Sequence, residues 1–139
     1  SDVRRMFEDL KILRQSTNLL IYTQSCYPLC LMADFSAPAH LKYCSIGGPA
    51  VAIGPKGEIR PCALMPQVCG NVFVEGFGPA LERMTSWRIE TLAPPECQTC
   101  RVFVQCKGGC RITAHYNGNV SGLDMHADPH AIAAALGFE

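Results

Sequence analysis

The stretch CQTCRVFVQCKGGC, residues 97–110, sets thiols at Cys97, Cys100, Cys106 and Cys110 in the pattern C-x2-C-x5-C-x3-C, with Gly108 and Gly109 before the last. Cysteines this dense form disulfides, hold zinc, or bind iron and sulfide. Structural zinc usually takes two C-x2-C-type knuckles a dozen or more residues apart. Here Cys97 and Cys100 make one such knuckle, but Cys106 and Cys110 follow closely and are more widely spaced. Iron–sulfur clusters are larger than a single ion and accept varied ligand spacing from short loops. The paired glycines would let backbone approach inorganic sulfide and donate N–H bonds to it.

The whole chain favours metal over disulfides. Nine cysteines among 139 residues is an odd count, which fits a disulfide framework poorly. The start, SDVRRMFEDLK, is not a signal peptide, so a cytoplasmic, reducing setting is expected, where thiols stay free unless catalysis or a metal uses them. The chain opens on Ser1 rather than Met, which reads as a cut within a longer protein. Twelve basic and twelve acidic residues balance without a Lys/Arg run, arguing against nucleic acid or an anionic membrane as partner. No apolar run approaches the ~20 residues of a membrane span.

These cysteines need elements to hold them. Residues 2–15 carry Val3, Met6, Phe7, Leu10, Ile12 and Leu13 at helical period, predicting an amphipathic helix. LLIYT (19–23) reads as a short buried strand, and residues 33–50 as loop. AVAIGPKGEIRPC predicts a hairpin with Cys62 just past its end, and GNVFVEG (70–76) a further strand. A helix is expected from about Pro79 to Leu92, with Leu81, Met84 and Trp87 on one face, stopped by Pro94-Pro95. RITAHY predicts a short helix ending at Asn117-Gly118, SGLDMHADPH a loop, and AIAAALGF a docked apolar helix. The expected fold is a small α+β domain: a β-hairpin, short helices and loops organised around the cysteines. Residues 1–27 form an N-terminal helix and strand, readable as the remnant of a preceding domain, and residues 28–139 the cysteine-rich domain.

Cys44-x12-Gly57-x4-Cys62, a gap, then Cys97-x2-Cys100-x5-Cys106-x3-Cys110 resembles the SPASM domain, the auxiliary iron–sulfur domain of radical S-adenosylmethionine enzymes. AVAIGPKGEIRPC, GNVFVEGFGPALE and CKGGCR are each similar to segments of that family, and the likeness covers roughly residues 28–131. The resemblance implies one or two [4Fe-4S] clusters with interleaved ligands. Cys44, Cys62 and Cys110 would serve the first cluster, with Cys30 as its fourth ligand and Cys26 the lesser candidate. Cys97, Cys100 and Cys106 would serve the second.

Two departures accompany the resemblance. The family closes its second cluster with a later cysteine, which here would fall near Ala131; this chain has none after Cys110. His130 is the expected substitute, then Asp128, His126 and Asp124. The catalytic C-x3-C-x2-C motif is also missing, because CYPLCLMA places Ala33 where the third thiolate belongs. Without that motif and a roughly 200-residue barrel, the chain is not expected to be catalytic alone. The expected function is to relay electrons, or to position a peptide or protein substrate, for a radical S-adenosylmethionine catalytic domain or protein that matures peptides, proteins or a peptide-derived cofactor. The alternative is a structural zinc module mediating protein contacts. An independent enzyme with a nucleophilic cysteine finds little support, since no Cys/His pair stands apart from the ligand pattern. Cys69 reads as a buried small hydrophobe, Trp87 as core, His40 and His115 as surface or capping residues, and Arg101 and Lys107 as exposed loop cations.

Overall fold

The computed structural model describes residues 2–32 and 42–136. His40 and much of the expected 33–50 loop lie outside these. The described residues form a mixed α+β domain with a small three-stranded antiparallel sheet. Helix α1 (Asp2–Ser16) forms as its periodicity predicts. It docks through Phe7, whose ring meets Tyr27 edge-on at 5.1 Å, and through Arg4, whose Nε donates to the Leu31 carbonyl at 2.8 Å. Ile12 and Leu13, further along the expected apolar face, are exposed.

The predicted strand at 19–23 does not form. Leu19, Leu20 and Tyr22 are exposed and form no strand ladder among the described residues, and β propensity alone does not make a strand. A short 3-10 turn at Leu29–Leu31 follows Pro28 and is fully buried.

The hairpin forms as expected. Strands β1 (Ala52–Ile53) and β2 (Glu58–Arg60) pair antiparallel, closed by Gly54 N–H to the Glu58 carbonyl at 2.8 Å. Strand β3 (Gly70–Asn71) pairs with β2, but the predicted strand ends there. Val72–Glu75 turn into a single helical turn, α2. Asn71 caps it by accepting from the Phe73 N–H at 2.9 Å, while Glu75 reaches back to the Asn71 N–H at 3.2 Å. These reciprocal bonds outcompete a ladder that β-branched content alone would favour.

Gly57 sits in the hairpin turn at φ +84°, where an added Cβ would lie 2.5 Å from Phe73 Cδ2 and 2.8 Å from Asn71 Oδ1. Gly57→Ala is therefore expected to cost about 1–3 kcal/mol through the left-handed backbone alone. A denaturation midpoint equal to wild type would contradict this.

The helix predicted over 79–92 breaks into α3 (Gly78–Arg83), a 3-10 turn (Met84–Trp87) and α4 (Ile89–Leu92), with Arg88 extended between. Thr85 and Ser86 hydroxyls donate back to the Glu82 and Arg83 carbonyls, competing with the helical ladder. Met84 is buried and Trp87 half-buried, but Leu81 faces solvent. Single turns α5 (Pro95–Gln98) and α6 (Phe103–Cys106) carry the cysteine run, followed by α7 (Arg111–Tyr116) and α8 (Pro129–Leu136). No helix among the described residues is long and apolar enough to cross a membrane.

Ile59, wholly buried on β2, anchors one core cluster with Cys69, Ala80 and Met84. A second cluster gathers Cys44, Ile46, Met65, Ile89, Leu92 and Ile112, and a third gathers Cys30, Cys97 and Ile132. Two of the three cores thus contain candidate ligands.

Candidate metal centre

No disulfide joins the nine cysteines. Eight of them fall into two groups. Cys26, Cys62 and Cys110 pack on the cluster that contains Cys44. Cys30, Cys97, Cys100 and Cys106 line one narrow cleft that is partly open to solvent.

In the first group each thiol comes from a different place in the chain. Cys26 lies in the loop after α1 and pairs through its backbone with Lys42. Cys62 follows Pro61 at the end of β2, and Cys110 precedes α7. Cys26 and Cys44 share a hydrogen bond that separates their acidities. It draws Cys44 down to about 6, helped by N–H groups of Arg111 and Ile46, against the effect of burial. The same bond pushes Cys26 up, with burial and the neighbouring Cys44 and Cys110 adding to it. Burial pushes the Cys110 thiol up as well, opposed by N–H groups of Thr113 and Ile112.

The second group is more apolar. Burial pushes Cys97 up to about 12, with Cys106 and Cys30 adding to the rise, and pushes Cys30 up to about 11. Backbone donors point at two of the sulfurs: Leu29 N–H lies 3.2 Å from Cys106 Sγ, and Asp128 N–H lies 3.4 Å from Cys30 Sγ.

The chain separates the groups at Cys106-Lys107-Gly108-Gly109-Cys110. Lys107, Gly108 and Gly109 all adopt positive φ, at 56°, 74° and 81°. Three left-handed residues in succession reverse the backbone, directing Cys106 to the cleft and Cys110 to the other core. Lys107 bears the unfavourable conformation for a residue with a Cβ. Its side chain is mostly buried over the Phe103 ring and pairs with Glu90 at 3.7 Å, instead of standing free in solvent as the sequence suggests. Gly109 leaves room for Asp124, whose carboxylate would lie 2.7 Å from an added Cβ.

The structure brings together Cys44, Cys62 and Cys110 on one side, and Cys97, Cys100 and Cys106 on the other. It puts Cys30 with the second trio and Cys26 with the first, which is the reverse of the preference in the sequence reading. The only hint in the sequence was the spacing, since Cys26-x3-Cys30 repeats Cys106-x3-Cys110. His130 is exposed and belongs to the first turn of α8, not to a loop. Asp128 caps that helix, its Oδ1 accepting from the N–H groups of His130 and Ala131 at 3.0 and 3.2 Å. Asp124 is buried and accepts from Cys110 N–H at 2.6 Å, Thr113 Oγ1 at 2.5 Å and His126 N–H at 2.8 Å. The half-buried His126 ring lies 5.6 Å from that of Tyr27.

Among the described residues, no three His, Cys, Asp or Glu side chains are grouped as a single metal ion would require. The residues nevertheless suit a larger thiophilic group: all-sulfur donors, apolar walls, and N–H groups aimed at sulfur. No family model, curated protein or solved structure matches this chain.

Cys69 belongs to neither group. It packs against Ile59, Ala80 and Met84, and burial raises its thiol. Cys69→Ala should leave metal content unchanged and cost about 1 kcal/mol in lost packing. Metal loss equal to that of Cys62→Ala would place Cys69 among the ligands.

Proposed function

We propose that this chain is an auxiliary iron–sulfur domain of SPASM type that serves a radical S-adenosylmethionine catalytic domain or protein in a reducing, cytoplasmic setting. The observation that carries this reading is the sorting of eight thiols into two groups of four, interleaved along the chain and linked at Cys106-x3-Cys110. Each group would hold one [4Fe-4S] cluster, which when bound supplies reversible one-electron transfer.

The chain's own residues set the conditions for that transfer. Apolar walls of Ile46, Met65, Ile89 and Ile112 around the first group, and of Phe103 and Ile132 around the second, limit solvent access. Backbone N–H groups of Ile46 and Arg111 at Cys44, of Leu29 at Cys106 and of Asp128 at Cys30 stabilise sulfur-centred negative charge. The role follows: to pass electrons to or from the catalytic partner, or to hold its peptide or protein substrate near the clusters.

Anaerobic reconstitution with iron and sulfide tests the reading. The expected product is a brown protein with broad visible absorption and about four to eight irons per chain, four for each cluster assembled. A colourless protein holding tightly bound zinc and no sulfide would replace this reading with that of a structural zinc module.

A further inference from the structure

We propose that Cys26-x3-Cys30 divides between the two centres: Cys26 completes the set of Cys44, Cys62 and Cys110, and Cys30 completes the set of Cys97, Cys100 and Cys106. The proposal rests on the iron–sulfur reading above and assigns its ligands. Both centres are then closed by four thiolates, and the second has no position left for histidine, carboxylate or solvent.

Three observations carry the assignment. Cys30 is 5% exposed and lines the same cleft as Cys97, Cys100 and Cys106. The 3-10 turn that bears it is tied to that group directly, through Leu29 N–H to Cys106 Sγ at 3.2 Å. Cys26 packs against the buried cluster that contains Cys44, as Cys62 and Cys110 do, in the other group. A cysteine at each end of three intervening residues therefore faces a different centre, as Cys106 and Cys110 do, but in the opposite chain sense. Fully extended, such a segment spans at most about 14 Å between its end Cα atoms, which limits how far apart the centres can stand.

The segment after Cys110 has a different task. It delivers a backbone donor, Asp128 N–H, to Cys30 Sγ at 3.4 Å, while the Asp128 carboxylate caps α8 and His130 points outward. A ligand from upstream thus takes the place of the downstream cysteine this chain lacks. Ala131 remains beside the cleft, packed against the cluster of Cys30, Cys97 and Ile132.

The test counts iron and sulfide after anaerobic reconstitution of the full chain, with electron paramagnetic resonance of the reduced protein. Cys30→Ala should lose about half the iron, one of two four-iron clusters. Adding Cys97→Ala should remove no more, whereas adding Cys44→Ala should remove the rest. The reverse pairing, or full iron in Cys30→Ala with loss in His130→Ala, would overturn the assignment. Rescue guards against variants that merely fold badly. Ala131→Cys should restore iron and the missing resonance to Cys30→Ala but not to Cys26→Ala, and rescue of Cys26→Ala alone would overturn the assignment. If wild type takes zinc without sulfide, the iron–sulfur reading fails, and the same variant pairs read as zinc content decide the ligand partition.

Discussion

If the two thiol groups hold iron–sulfur clusters as proposed, removing iron and sulfide by anaerobic chelation is expected to abolish the cooperative unfolding transition of this domain. The strands are two, three and two residues long, and α2, α4, α5 and α6 are single turns. Such pieces are marginal by themselves, since a short hairpin or one helical turn does not offset its own ordering entropy. Two of the three apolar clusters are built partly from the candidate ligands, so the same side chains would have to serve as both core and metal cage. In small metal domains the binding free energy is folding free energy, about 10–16 kcal/mol for structural zinc. That exceeds or matches the whole 5–15 kcal/mol by which ordinary domains are stable. The metal-free chain should retain some helix signal, lose its sharp thermal transition and bind hydrophobic dyes as a loosely packed state does. Cys62→Ala and Cys100→Ala should each move part of the way, one from each group. A metal-free protein that melts cooperatively within a few degrees of the loaded one would show that the apolar clusters alone carry the fold.

How much of this was legible beforehand depended on whether a feature is local. Helix α1 and the hairpin were readable because 3.6-residue periodicity and the GPKG turn act within a few residues. The strand expected at 70–76 failed locally too, since Asn71 and Glu75 form a cap that competes with a ladder. The helix expected at 79–92 broke where Thr85 and Ser86 bond back to the preceding turn. Both were visible in the sequence as polar residues with a rival hydrogen bond to make.

The partition of Cys26 and Cys30 was not visible that way. It depends on Leu29 meeting Cys106, 77 positions away, and on Asp128 meeting Cys30, 98 positions away. The trios Cys44, Cys62, Cys110 and Cys97, Cys100, Cys106 came from the family resemblance, position by position, and not from spacing or periodicity. His130 was the expected substitute because it sits in ADPH, next to where the family's cysteine would fall. Once Asp128 caps α8, the histidine is carried to the helix exterior.

Arg111→Met is expected to be the most damaging substitution outside the cysteines. Arg111, next to a candidate ligand, is 0% exposed, a burial that arginine rarely shows unless its charge is paired. Its Nη1 donates to the carbonyls of Leu92, Val120 and Gly122 at 3.3, 3.1 and 2.8 Å, and its Nη2 to that of Gly108 at 2.5 Å. The guanidinium thus ties α4, the cysteine loop and the turn after α7 into one body. Among the described residues its Nε has no partner and no carboxylate pairs with it. A buried cation without a counter-charge is costly, by several kcal/mol. Its charge acts on Cys44 in one group and on Cys97 in the other, drawing both thiols toward ionisation. Thiolate-bound clusters, if the two thiol groups hold them as proposed, would supply the missing negative charge. Methionine keeps much of the volume but strands the four carbonyls, at about 1–3 kcal/mol for each one left unsatisfied and buried. The loaded Met variant should lose at least about 3 kcal/mol of stability, and its reduction potentials should fall because a positive charge near both centres is gone. Arg111→Lys should separate the two effects. An ammonium keeps the charge but lacks the planar fork that reaches four carbonyls, so stability should drop while the potentials stay near wild type. Equal potentials in the Met, Lys and wild-type proteins would reduce Arg111 to a structural tie and remove it from the electrostatics of either centre.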